Sequence, residues 1–320
     1  MGRNLAAAHQ AGAGSGVVAG GWLTRWMELF IDAGDVSLPA TLDVPVDRPV
    51  RGAVVVLHGS GMPQRSYFLY EQLARAFPAV DVAVLRFDRR PREQGDVPYA
   101  VQADDAVAAI AEVRRRIGDV PVGLWGWSQG AWPASAVAAG RPDLVSFLVL
   151  VASSGVSPAI QMRYGTAQQL LLNGYGSAEQ ADLTRLREAL ESVVRGHIDR
   201  ETAQAIIDRY ADRPWFPLVY VPRYLHDYPG TWDDMDYDPE PVIAQVRCPT
   251  LLFYGENDEW TPAEDSIAVW QRSAATSDLT IHRLAGCTHL PALGGADVLA
   301  SISSDYNDTM LAWVQDRINR

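Results

Sequence analysis

The sequence predicts an α/β protein: a mostly parallel sheet covered by helices, with a helical cap inserted late in the chain. Three observations predict it. Short unbroken apolar runs alternate with amphipathic stretches, this rhythm stops over residues 157–245, and it resumes at 250. Alternation of strands with helices means a parallel sheet, because each crossover lays a helix on a sheet face.

Residues 1–25 are rich in alanine and glycine and are expected to form a flexible tail. A signal peptide needs about 7–15 continuous apolar residues. His9, Gln10 and several glycines interrupt the only candidate stretch. Residues 27–31 and 36–44 read as an antiparallel pair around Ala33-Gly34-Asp35. Residues 53–57 (AVVVL) form an apolar run of β-branched character, suited to a strand buried on both faces. Similar runs lie at 82–87, 122–125 and 147–151. Between them Val107, Ile110, Val113 and Ile117 recur at helical spacing and give one apolar face. The core is therefore expected at 26–156 and 246–320, and the cap at 157–245. Within the cap, 168–172, 178–195 and 200–210 read as helices, and prolines from Pro214 to Pro241 punctuate the rest. Strands resume at 250–254 and 279–284, and a last amphipathic helix covers 306–318.

Composition excludes several classes. The net charge of -12 argues against a nucleic-acid partner, since phosphate binding needs a basic surface. All 27 basic residues are arginine, which rules out Schiff-base lysines, lysine-bound pyridoxal phosphate and the P-loop lysine. Cys248 and Cys287 are too few for a disulfide framework and fit a reducing cytoplasm, with a single bridge left open. No segment is long and apolar enough to span a membrane. The expected partner is a small-molecule substrate, without cofactor or metal, and a homodimer stays open.

The chemistry centres on Gly126-Trp127-Ser128-Gln129-Gly130, a G-x-S-x-G between a buried strand and the helical stretch 131–139. A serine on such a strained strand-to-helix turn projects its hydroxyl above the sheet. Flanking glycines let neighbouring backbone approach, and the helix N-terminus brings partial positive charge to a developing oxyanion. A serine hydroxyl needs a base. His289, in Gly286-Cys287-Thr288-His289-Leu290-Pro291, follows the last strand at the sheet edge where catalytic groups collect. His282 lies within that strand, His58 reads as structural, His197 and His226 fall in the cap, and His9 lies in the tail. The acid belongs between nucleophile and base in chain order. Asp258, after the strand 250–254, is the choice, with Glu256 and Glu259 as neighbouring alternatives. Two amides would form the oxyanion hole: Gln129 N–H, and Ser60 N–H from His58-Gly59-Ser60-Gly61, with Gly61 as the alternative.

With HGSG at 58–61, GWSQG at 126–130, CPTLLFYGENDEWTP at 248–262 and GCTHLP at 286–291, the chain from Met27 onward resembles the α/β-hydrolase superfamily. Within it, the sequence is most similar to bacterial esterase-like and acyl-peptidase-like hydrolases, including those acting on acyl-thioesters. The resemblance implies an eight-stranded, mostly parallel sheet and hydrolysis through an acyl-enzyme. It also implies that Asp88 is structural. Trp127 replaces the polar residue that many members carry before the serine, and is expected in the pocket wall.

Residues 215–237 hold seven aromatics, Trp215, Tyr224, Tyr228 and Trp232 among them. Most are expected to pack the cap onto the sheet, with one or two lining a pocket for a bulky apolar or aromatic acyl group. Trp215, Tyr224 and Trp232 are the candidates. Asp227, Asp233, Asp234, Asp236 and Asp238 interleave with these rings, read as a solvated face, and disfavour an anionic substrate at that rim. The expected activity is ester or thioester hydrolysis. The alternative is a biosynthetic acyltransferase, cyclase or lyase on the same fold.

Overall fold

The computed structural model describes residues 13–17, 23–91, 96–226 and 232–319. Its strands are β1 (Ala13–Val17), β2 (Leu23–Asp32), β3 (Ser37–Pro45), β4 (Gly52–Leu57), β5 (Val82–Phe87), β6 (Val122–Trp127), β7 (Phe147–Val151), β8 (Thr250–Gly255) and β9 (Leu279–Leu284). They form one sheet in the order β1-β2-β3-β5-β4-β6-β7-β8-β9. Pairing is antiparallel from β1 to β5 and parallel from β5 to β9. Strands β2–β9 are thus the expected eight-stranded, mostly parallel sheet.

β1 corrects the reading of residues 1–25 as a flexible tail. Ala13–Val17 pairs antiparallel with β2, from Ala13↔Met27 to Val17↔Leu23, and β2 begins at Leu23 rather than at 27. The partners here are backbone amides and carbonyls along a sheet edge, which any extended segment can satisfy. An alanine- and glycine-rich stretch without apolar alternation therefore carries no signal for it. Residues 1–12, with His9, lie outside the described residues.

The central strands are apolar throughout because both faces are covered. In β4, Val55 and Leu57 join one apolar cluster, while Val54 and Val56 join the other. Successive side chains point to opposite faces, so neither face can carry polar residues. On the first face lie α2 (Tyr99–Ile117), α3 (Ala131–Gly140) and α8 (Ala263–Ser273). Ala106, Ala109, Ile110 and Val113 form the buried centre of the α2 stripe, and Val107 and Ile117 sit half-buried at its edge. On the second face, α1 (Phe68–Ala76) and α9 (Ser304–Ile318) contribute Leu69, Leu73, Tyr306 and Met310.

Between β7 and β8 the chain forms α4 (Pro158–Leu172), α5 (Ser177–Val194), α6 (Arg200–Asp208) and the short α7 (Glu240–Ile243). α4 starts ten residues before the 168 expected for it. Ser157 caps it, accepting from the Ile160 amide at 3.4 Å, and Pro158 occupies the first turn. Serine followed by proline is a helix-start signal that the periodicity reading missed. Leu170, Leu183, Leu186, Leu190, Ile207 and Trp215 build a separate core for this insertion. Among the described residues no helix is long and apolar enough to cross a membrane. Cys248 and Cys287 are free thiols.

Candidate active site

β6 runs directly into Ser128, whose φ is +52°. A non-glycine residue in this region stores about 1–3 kcal/mol of strain. One tight turn, Ser128–Gly130, then leads into α3, whose N-terminus faces the serine. The register Leu57↔Gly126 sets the end of β4 beside the end of β6, so the HGSG loop and the serine turn are neighbours. The approach is close: a Cβ on Gly130 would stand 2.5 Å from the Leu57 carbonyl oxygen. Gly130→Ala must push this backbone apart and is expected to cost about 1–3 kcal/mol of stability, read as a lowered urea midpoint. An unchanged midpoint would show that the turn yields without strain.

Asp258 and His289 come from two loops that cross. A Cβ on Gly255, at the end of β8, would lie 2.0 Å from the Thr288 carbonyl oxygen, so only glycine lets the histidine loop pass here. The Asn257 amide donates to the Cys287 carbonyl at 3.0 Å and holds the crossing. As a result His289 Nε2 lies 2.9 Å from Ser128 Oγ, and His289 Nδ1 lies 3.0 Å from Asp258 Oδ1. That same oxygen accepts the amides of Trp260 at 2.9 Å and Thr261 at 2.8 Å. Because the carboxylate only accepts, Nδ1 carries the proton and Nε2 is left to accept one from serine. Trp127 holds the histidine loop: its indole N–H donates to the His289 carbonyl at 3.0 Å.

Burial by itself would raise the Asp258 carboxyl. The charge and hydrogen bond of His289, with the two backbone amides, outweigh it and bring Asp258 below the usual range. Burial alone would lower the His289 imidazole. The Asp258 charge and hydrogen bond, with the Glu259 charge, reverse this and bring it above the usual value.

The other candidates fall elsewhere. Glu259 accepts from the His289 backbone amide at 3.2 Å and does not reach the ring, and Glu256 is exposed. His58 is buried with Nε2 2.5 Å from the Phe87 carbonyl. Burial, with the nearby Arg89 charge, pushes its pKa down to about 3, so it is a neutral core residue. His282 pairs with Asp305 at 2.8 Å. Asp88 accepts the Arg65 amide at 2.8 Å and pairs with its guanidinium.

The serine and histidine open onto a cavity of about 610 Å³. Ser60, Gln129, Trp127 and Trp232 line it, but Trp215 and Tyr224 do not. Trp215 is 4% exposed inside the insertion's own core, with its ring centroid 6.0 Å from that of Tyr210. Tyr224 is 46% exposed and lies against Arg223 and His226. Both are therefore corrected as pocket residues: an aromatic in the inserted stretch serves that stretch's own core or surface as readily as a cavity. Tyr228 and Asp227 lie outside the described residues. Tyr99, Trp132, Met162 and Trp260 are pocket walls that sequence reasoning missed. Trp132 follows the serine by four residues and stacks on Tyr99 at 5.0 Å, and its adjacency to the motif was the available signal. In the acidic stretch Asp233, Asp236 and Asp238 are exposed, as expected of a solvated face, but Asp234 and Asp236 also have partners. Asp234 accepts from the Tyr99 amide at 2.8 Å, and Asp236 pairs with Arg195 at 2.5 Å.

Residues 54–302 match the model of the alpha/beta hydrolase family. The chain belongs to this family. As an alpha/beta hydrolase it is 24% identical over 248 residues to the 2-hydroxy-6-oxononadienedioate/2-hydroxy-6-oxononatrienedioate hydrolase 2 of Pseudomonas putida, covering 74% of this chain and 80% of that one. It is also 24% identical over 255 residues to the pimeloyl-(acyl-carrier protein) methyl ester esterase of Aeromonas salmonicida, covering 78% and 93%. Among solved structures, Est1E from Butyrivibrio proteoclasticus with ferulic acid bound superposes with a TM-score of 0.59 at 14% identity, covering 91% of this alpha/beta hydrolase and 100% of that chain. Proline iminopeptidase of Mycobacterium smegmatis superposes at 0.57 with 17% identity, covering 91% and 98%. At these identities the structural likeness speaks for the fold.

Proposed function

We propose that this alpha/beta hydrolase is a serine hydrolase that cleaves an ester or thioester of a bulky apolar or aromatic acyl group through an acyl-enzyme. The observation that carries this reading is the continuous line Ser128 Oγ, His289, Asp258, with links of 2.9 and 3.0 Å, opening onto an aromatic cavity. His289 Nε2 takes the Ser128 proton as Oγ attacks the carbonyl carbon. The amides of Gln129 and Ser60 stabilise the tetrahedral oxyanion. The intermediate expels the alcohol or thiol with the proton from His289. Water then attacks the acyl-enzyme with His289 again as base, and the acid leaves. Asp258 holds the ring in one tautomer and offsets the imidazolium charge. The names of both curated relatives, a hydrolase and an esterase, agree with hydrolysis.

A fluorophosphonate probe should label Ser128, and aryl and alkyl esters of graded acyl size should release free acid. Absence of labelling would overturn the reading. A transacylated or cyclised product in place of free acid would favour the acyltransferase or cyclase alternative.

The cavity walls make a second prediction. Trp232→Ala should raise KM for esters of aromatic acids about tenfold, the scale of losing part of a buried aromatic contact, with acetate esters changing less than twofold. Tyr224→Ala, outside the cavity, should leave both KM values within twofold. Equal effects on large and small acyl groups would place the acyl group away from Trp232.

A further inference from the structure

Beside the serine turn lies a polar chain that the triad does not use, buried at Arg89 and half-exposed at Asp96, which lines the cavity. Arg89, after β5, is nearly buried and sends one nitrogen, Nη2, to two carbonyls: His58 at 2.9 Å and Gly59 at 3.0 Å. Its other terminal nitrogen, Nη1, donates to Asp96 Oδ1 at 3.1 Å. Asp96 Oδ2 accepts from the Gln129 side-chain amide, and Asp96 Oδ1 also accepts the Val97 amide at 2.8 Å. One arginine and one aspartate thus tie the loop after β4 to the residue that follows the serine.

We infer that Arg89 is a positioning residue for the oxyanion hole and that Asp96 extends its grip to the second donor. The inference rests on the proposal that Ser60 and Gln129 supply the two amides. A trans peptide is planar, with its C=O and N–H pointing in opposite directions. Fixing the Gly59 carbonyl therefore fixes the Ser60 N–H, because both belong to one peptide plane. The Met62 amide, the other donor to this carbonyl, is longer at 3.3 Å, so the guanidinium is the stronger constraint. Two hydrogen bonds to successive carbonyls leave the plane little freedom to rotate. A charged donor on the carbonyl also polarises the peptide and makes its N–H a better donor to an oxyanion. At the other end, Asp96 holds the Gln129 side chain and so limits rotation of the residue whose own N–H is the second donor. The two loops leave different strands, and this chain sets the spacing between their amides. Preorganised donors need no rearrangement as charge develops, which is where such a hole acts.

The test uses the full chain. Arg89→Lys retains a cation but offers no planar fork to two carbonyls and a carboxylate together. Asp96→Asn keeps the shape and removes the charge that anchors the guanidinium. The expected result for Arg89→Lys is a fall in kcat of about 10–100-fold with KM within twofold, less than the loss of a whole oxyanion donor. For Asp96→Asn a fall of about 3–10-fold is expected by the same logic. The decisive readout is inhibition by a trifluoromethyl ketone, which forms a tetrahedral oxyanion on serine. Its Ki should rise by the same factor as kcat/KM falls, while fluorescence or circular dichroism melting shows a folded protein. A Ki unchanged in either folded variant, or a KM rise with kcat preserved, would overturn the inference. If Arg89→Lys does not fold, Asp96→Asn alone decides by the same comparison. Failure of the wild-type protein to react with fluorophosphonate would instead remove the serine-hydrolase reading on which the inference stands.

Discussion

Ser128→Ala should lower the turnover of p-nitrophenyl esters by about 10⁴–10⁶, the range seen when a triad nucleophile is removed. This corresponds to about 5–8 kcal/mol of transition-state stabilisation. The loss follows from the site geometry. The hydroxyl that meets His289 Nε2 is gone, and what remains is the cavity and the proposed oxyanion donors, which assist attack by water alone. Folding should survive. The strained backbone at φ +52° belongs to the residue's place between β6 and α3, and alanine adopts the same φ elsewhere in this chain, at Ala152. The check is a steady-state assay with a thermal melt and an active-site titration, so that contaminating esterase is counted. A variant retaining the wild-type rate would show that another nucleophile acts. A variant that binds product with unchanged affinity while turning over 10⁴-fold more slowly would separate the chemistry from recognition.

What was legible in the sequence follows from where each signal is written. β4, β5, β6 and β7 are buried on both faces, and such strands write themselves as continuous apolar runs. The serine turn is local, since strand, glycines and helix lie within a few residues. Asp258 and His289 each follow a legible strand, and the order of β8 and β9 brings them together. β1 left no trace because its ladder is made by backbone atoms. The pocket walls were harder for a different reason. Aromatic density in the inserted stretch reports both a core and a cavity, and Trp215 belongs to the first. Tyr99, Trp132 and Trp260 are spread over the core's helices and loops and meet only through the sheet topology. No window of sequence contains that information. The same holds for Arg89: its neighbours His58, Gly59 and Asp96 come from two loops, so the grip on the Ser60 peptide exists only in three dimensions.

Asp258→Asn should lower kcat/KM by about 10²–10³, less than the roughly 10⁴ that the same change costs a serine protease. The protease loses its base because the new amide nitrogen faces the ring and imposes the wrong tautomer. Here Oδ1 takes all three hydrogen bonds, from His289 Nδ1 and from the amides of Trp260 and Thr261. Two backbone N–H groups aimed at that atom require an oxygen there, so asparagine keeps its carbonyl facing the ring and the tautomer survives. What disappears is the charge. The Asp258 charge and hydrogen bond are the main influences that lift His289 against the opposing effect of burial. The sign of the pH effect follows. In the proposed mechanism His289 works as a base only when neutral, so wild-type kcat/KM on a neutral ester should fall as pH drops through a value above the usual imidazole value of about 6.5. Without the charge, burial prevails and the midpoint of that fall moves to lower pH. Each unit of displacement weakens the base tenfold in its equilibrium with serine, which sets the scale of the loss. A full pH profile of both proteins on one neutral ester measures the two effects together. A variant whose midpoint stays at the wild-type value would mean that Asp258 acts on the ring through geometry alone, and a loss of 10⁴ or more would mean that the tautomer has switched after all.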